Sequence, residues 1–109
     1  MLKLYIFAPD KPEIVEKIID VASSAGAGVM GNYSHCAFVS KGTGSWFAKK
    51  GAHPTIGKVG ELTTSAEVRI EMECPEEIAR NVEKAIRKVH PYEEPAIEFL
   101  KIEDMGLDR

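Results

Sequence analysis

The spacing of hydrophobic positions changes along this chain, and each change marks an element. Leu2 to Ala8 is a short apolar run containing the β-favouring Tyr5, Ile6 and Phe7, the length of a buried strand. Pro9 and Asp10 end it. Asp10 and Glu13 have capping-box spacing, with Pro12 in the first turn. Ile14, Ile18, Ala22 and Ala25 then recur at helical intervals, and Gly26 and Gly28 supply a stop. Tyr33 to Ser40 reads as a second strand, Lys41-Gly42-Thr43-Gly44 as its turn and Ser45 to Ala48 as the returning arm. A glycine- and proline-punctuated loop follows from Gly51 to Gly60. From Glu67 to Glu73 the alternation is clean. Val68, Ile70 and Met72 point one way and Glu67, Arg69, Glu71 and Glu73 the other, which predicts a strand with one buried face and one wet or intermolecular face. Pro75 opens a second helix with the stripe Ile78, Val82, Ala85, Ile86 and Val89, ended by His90-Pro91. Ala96 to Ile102 is the last strand.

The order is βαββαβ with extra hairpin material after the second strand. It predicts an α+β, ferredoxin-like sandwich, an antiparallel sheet with both helices on one face. The 109 residues make room for one domain, taken as 1–103, with 104–109 as a polar tail. A core this small is thin, and packing against copies of the chain would widen its stability margin.

Charge sharpens the picture. From Gly26 to Gly60 there is no Asp or Glu, but there are Lys41, Lys49, Lys50 and Lys58, His35 and His53, and eight of the nine glycines. With the whole chain at −3, that window stands at +4 and the remainder at −7. Such a segment suits a small anionic ligand; solvated lysines on a loop are the alternative. A net negative chain argues against nucleic acid. No apolar run approaches the ~20 residues of a membrane span, and no signal-peptide pattern opens the chain, so the cytoplasm is the expected compartment. Cys36 and Cys74 form neither a disulfide framework nor a zinc knuckle and read as reduced and inert.

Candidate chemistry is sparse. Neighbours His35 and Cys36, on a predicted strand, would point to opposite faces. His35 could join His53 or His90, within or across subunits, with Glu93 or Glu94 as an oxygen ligand for zinc or copper; local hydrogen bonding of each histidine is the competing reading. Asn32 and Tyr33, after Gly31, and Ser34 with His35 are placed where backbone turns near a ligand. The turn Gly42-Thr43-Gly44 could offer N–H groups to it, or serve as a plain hairpin turn. Tyr92 sits in a segment made rigid by Pro91 and Pro95. Trp46 and Phe47, being adjacent, place one ring in the core and leave one for an interface or a stacking surface. No nucleophile–base constellation stands out, and the chain reads as a binding or regulatory module rather than a self-contained enzyme.

Three segments carry a resemblance: Gly31-Asn32-Tyr33-Ser34-His35-Cys36-Ala37-Phe38, Gly42-Thr43-Gly44-Ser45-Trp46-Phe47 and His90-Pro91-Tyr92-Glu93-Glu94-Pro95-Ala96. With Gly51-Ala52-His53-Pro54-Thr55-Ile56-Gly57 between them, they resemble the inserted domain of the NGG-interacting-factor-like (dinuclear-metal-centre hexameric) proteins, over about Leu2 to Ile102. That domain is similar to PII signalling proteins and CutA proteins, and the His-Pro-Tyr-Glu run looks like a CutA motif. The resemblance implies a PII/CutA-like fold, a homo-oligomer with a trimer favoured, and a surface for an unidentified ligand. A CutA-like divalent-metal binder is one alternative. A component of a metal-dependent hydrolase-like assembly is another. The flanking halves that hold the family's dinuclear metal ligands are not in this sequence, so it reads as a free-standing version of the insert.

Overall fold

A computed structural model of the protein describes residues 1–103; the polar tail expected over 104–109 lies outside them. The elements are β1 (Leu2–Pro9), α1 (Pro12–Ser24), β2 (Phe38–Phe47), β3 (Leu62–Cys74), a 3₁₀ turn (Glu76–Ile78), α2 (Ala79–Val89) and β4 (Ile97–Lys101). The four strands form one antiparallel sheet in the order β2-β3-β1-β4. This is the expected ferredoxin-like arrangement.

Alternation decides which face of the sheet is covered. Leu4, Ile6, Val68, Ile70 and Met72 point to one side and are buried against Ile18 and Ala22 of α1 and Val82 and Ile86 of α2. Register puts Leu4 opposite Met72 and Ile6 opposite Ile70, so the two central strands present one continuous apolar layer. The opposite face carries Tyr5 and Phe7 of β1 with Arg69 and Glu71 of β3. There the Arg69 guanidinium stands 5.3 Å over the Tyr5 ring and 3.3 Å from the Glu71 carboxylate.

Several local expectations are corrected. β2 starts at Phe38, not Tyr33; Tyr33 instead closes a small turn with Met30. His35 and Cys36 are therefore not on a strand, and His35 adopts the left-handed backbone conformation (φ 59°). Asp10 does not cap α1. The N-cap is Lys11, without a side-chain cap, and Asp10 instead lies 3.7 Å from Lys41. Most consequentially, Lys41-Gly42-Thr43-Gly44 is not a turn. β2 runs straight through it, and Ser45 to Phe47 continue the same strand against Leu62 to Thr64. The long β2–β3 ribbon stretches the molecule to 50 × 25 × 23 Å. The stop after α1 is as read. Gly28 has φ 65° and is packed so closely against Met72 and the Cys36 backbone that a β-carbon has no room there.

Candidate functional site

The site grows from the end of α2. His90 is the C-cap residue, its N–H donating to the Ile86 carbonyl at 2.9 Å, and its ring is buried at 8% exposure. Nε2 lies 2.8 Å from the Phe7 carbonyl of β1, and Nδ1 lies 3.1 Å from the backbone N–H of Tyr92. A carbonyl only accepts and an N–H only donates, so the ring is neutral with its proton on Nε2. Burial lowers its pKa below the ordinary 6.5. The bond to Phe7 and the nearby Glu67 oppose that shift without cancelling it, and Arg87 adds to it.

Pro91 then turns the chain so that Tyr92 stacks at an angle between two rings. Its centroid is 5.0 Å from that of His90 and 5.9 Å from that of Trp46. The Tyr92 hydroxyl donates to Glu67 Oε2 at 2.7 Å, and burial together with this carboxylate pushes the phenol pKa well up. Glu67 is held in turn by an absence. Gly44 of β2 pairs with Ser65, two residues along the same face from Glu67, and the Glu67 side chain occupies the space a β-carbon at position 44 would fill.

The Ala48–Glu61 loop folds back to form the other wall. The Trp46 indole N–H donates to the Ile56 carbonyl (3.2 Å), the Thr55 hydroxyl to the Pro91 carbonyl (2.6 Å) and the His53 backbone N–H to Glu93 Oε1 (3.0 Å). Between loop and motif lies a cleft of about 200 Å³ whose walls include Trp46, Pro54, Ile56, Tyr92, Glu93 and Glu94. A second groove, also bordered by Tyr92, is lined by Phe7, Gly44, Glu67 and Glu94. Next to it, Gly42, Thr43, Lys41 and Arg69 line a third, again with Glu67.

The residues singled out in the sequence therefore fall into separate places. Tyr92 and Gly44 belong to the cleft and its neighbour, and Gly42 and Thr43 adjoin them as strand residues. Asn32, Tyr33, Ser34 and His35 follow the end of α1. There the His35 N–H donates to Ser23 Oγ (2.9 Å), and its ring contacts Ser34 Oγ (2.8 Å) and Asp20 Oδ1 (3.0 Å). The set His35, His53, His90 and Glu93 does not assemble within one chain. Among the described residues no group of three or more His, Cys, Asp or Glu is placed to hold a metal ion, and His90 has both ring nitrogens engaged. Of that set, His53 and Glu93 are in contact, through the His53 backbone N–H. The lysines expected to attract an anion do not line the Trp46 cleft; Lys41 alone reaches a groove, beside Arg69. Cys74 is buried with its thiol pKa raised by burial and by Glu77, and Cys36 is partly buried; both thiols are free. Sequence reasoning missed Glu67, read only as one of a row of wet-face carboxylates. The signal that could have found it was a glycine inside a strand on a neighbouring position of the same face.

The fold is that of an α+β protein of the PII/CutA-like kind. Residues 57–108 match the family model described as CutA1 divalent ion tolerance protein. Over 107 residues the chain is 44% identical to a Bacillus subtilis protein named GTP cyclohydrolase 1 type 2 homolog, covering 98% of this chain and 28% of that one. Among solved structures, a Bacillus cereus protein related to NIF3 superimposes with a TM-score of 0.79 at 37% identity, over 94% of this chain and 26% of the other. A variant of CutA1 from Pyrococcus horikoshii superimposes with a TM-score of 0.70 at 20% identity, over 95% and 85%. The chain thus spans less than a third of the length of the first two relatives and most of the length of the third, with which it shares the fold. No helix among the described residues is long and apolar enough to cross a membrane.

Proposed function

We propose that this chain is a small self-assembling binding or regulatory module whose ligand seats in the Trp46–Tyr92 cleft. One observation carries the reading. The end of β2, the Ala48–Glu61 loop that follows it and the His90–Pro95 motif, which lies far away in sequence, are tied to one another by hydrogen bonds around a cleft that is already open. Such preorganised, partly apolar concavities are where small molecules bind. Self-assembly, as a trimer, is supported by the helix-free face of the sheet, where Phe38 is 67% and Leu100 48% exposed beside Tyr5. A second copy would cover these side chains. The free thiols favour a reducing compartment, the cytoplasm.

Native mass spectrometry of the purified protein, with and without added zinc, tests this reading. A trimer carrying additional mass supports it, and a bare monomer that ignores zinc overturns it. A second reading, a divalent-metal binder, is favoured by the match to the CutA1 divalent ion tolerance family and by the neighbouring His53 and Glu93. It requires further ligands from another copy, and His53→Ala would abolish the zinc-dependent mass. A third reading makes this chain a component of a metal-dependent hydrolase-like assembly; the Bacillus subtilis relative, of which the chain spans 28%, is named a GTP cyclohydrolase 1 type 2 homolog. Turnover on adding manganese or zinc to the pure chain would support it.

A further inference from the structure

The walls of the Trp46 cleft narrow the chemistry of its ligand. Trp46 and Tyr92 present two ring surfaces inclined at 55° to a common space, and Pro54 and Ile56 extend the apolar lining. The charged groups among the lining residues are the carboxylates of Glu93 and Glu94; no Lys or Arg among the described residues lines this cleft. The side-chain polar hydrogens of the lining residues, and the His53 N–H beside them, are already committed to protein acceptors. The indole N–H goes to Ile56, the Thr55 hydroxyl to Pro91, the Tyr92 hydroxyl to Glu67 and the His53 N–H to Glu93. What the side chains of the cleft still offer a ligand is the second oxygen of Glu93, the Glu94 carboxylate and two π faces. Carboxylate oxygens and ring faces both attract positive charge.

We infer that the cleft receives a small organic cation, an ammonium group on an apolar or aromatic body. The body lies against Trp46 and Tyr92, and the ammonium group meets Glu93 and Glu94. This rests on the reading of the cleft as the ligand site, and it reverses the sign of ligand that the lysine-rich window suggests.

Trp46 is the sole tryptophan of the chain, so its fluorescence reports occupancy directly. The full-length protein is titrated with benzyltrimethylammonium and, separately, with the anion phenylacetate, and calorimetry is run alongside. The expected result is saturable quenching by the cation, at least about tenfold tighter than any response to phenylacetate, and about tenfold weaker in the double variant Glu93→Gln with Glu94→Gln. Both carboxylates are exposed, and a glutamine oxygen still accepts the His53 N–H, so the thermal midpoint of that variant stays at the wild-type value. Tighter binding of phenylacetate overturns the charge assignment and leaves the cleft a ligand site. Unchanged cation affinity in the double variant also overturns the inference. Silence toward both probes overturns it alone if native mass spectrometry still shows a bound small molecule, and removes the site reading with it if the protein is bare.

Discussion

His90 and His35 both have their two ring nitrogens engaged, yet they are held in opposite ways. His90 is buried and bonded on both sides to backbone, a carbonyl of β1 and an N–H of its own loop. His35 is exposed and bonded to side chains that are themselves exposed, Ser34 and Asp20. Backbone partners are fixed by the sheet and the helix cap, whereas surface side chains exchange readily with water. The first histidine is thus a joint that locks the helix, the inner strand β1 and the cleft wall together, and the second is a local clasp on a loop.

Replacing the joint gives the largest effect. His90→Ala leaves the Phe7 carbonyl without its partner and opens a cavity, and a loss of about 2–4 kcal/mol is expected in urea unfolding. A loss as small as that of a surface variant would break the contrast. Gly44→Ala comes next. Its β-carbon displaces the Glu67 carboxylate and breaks the bond from Tyr92, for about 1–2 kcal/mol, with a shift of the Trp46 emission that a merely looser strand would not give.

The pH profile sharpens the comparison further. Because folding lowers the His90 pKa below 6.5, the unfolded chain binds this proton more readily than the folded one. The stability from this site is complete above pH 6.5 and falls as pH drops from there toward the folded-state value, by at most about 1.4 kcal/mol per pH unit. Subtracting the profile of His90→Gln from that of the wild type isolates this slope; a difference that stays flat below pH 6.5 would contradict the neutral, buried ring. The smallest effect is expected at the clasp. His35→Asn, a residue that tolerates the left-handed backbone there, changes stability by no more than about 0.5 kcal/mol by thermal melting.

The same contrast explains what could be read from the sequence. Elements whose residues face the core announce themselves by period: Ile14, Ile18 and Ala22 for α1, and Val68, Ile70 and Met72 for β3. The two glycines of β2 misled because a glycine pair between apolar residues normally signals a turn. Here Gly44 exists to admit a side chain from the neighbouring strand, a cross-strand fact that no local window contains. The cleft was legible in part. The rigid His90–Pro95 segment and Trp46 stood out, but their meeting depends on how the Ala48–Glu61 loop folds back. The histidines were grouped by chemistry, whereas the fold distributes them by topology.

Leu2 lies opposite Lys101, and the Ile102 N–H donates to the Met1 carbonyl at 3.4 Å. The chain therefore enters and leaves the fold at a single doorway. A unit with such a doorway can be spliced into a surface loop of another protein without stretching its host. That geometry makes the fold portable, since a host needs only one opening in its surface to carry it.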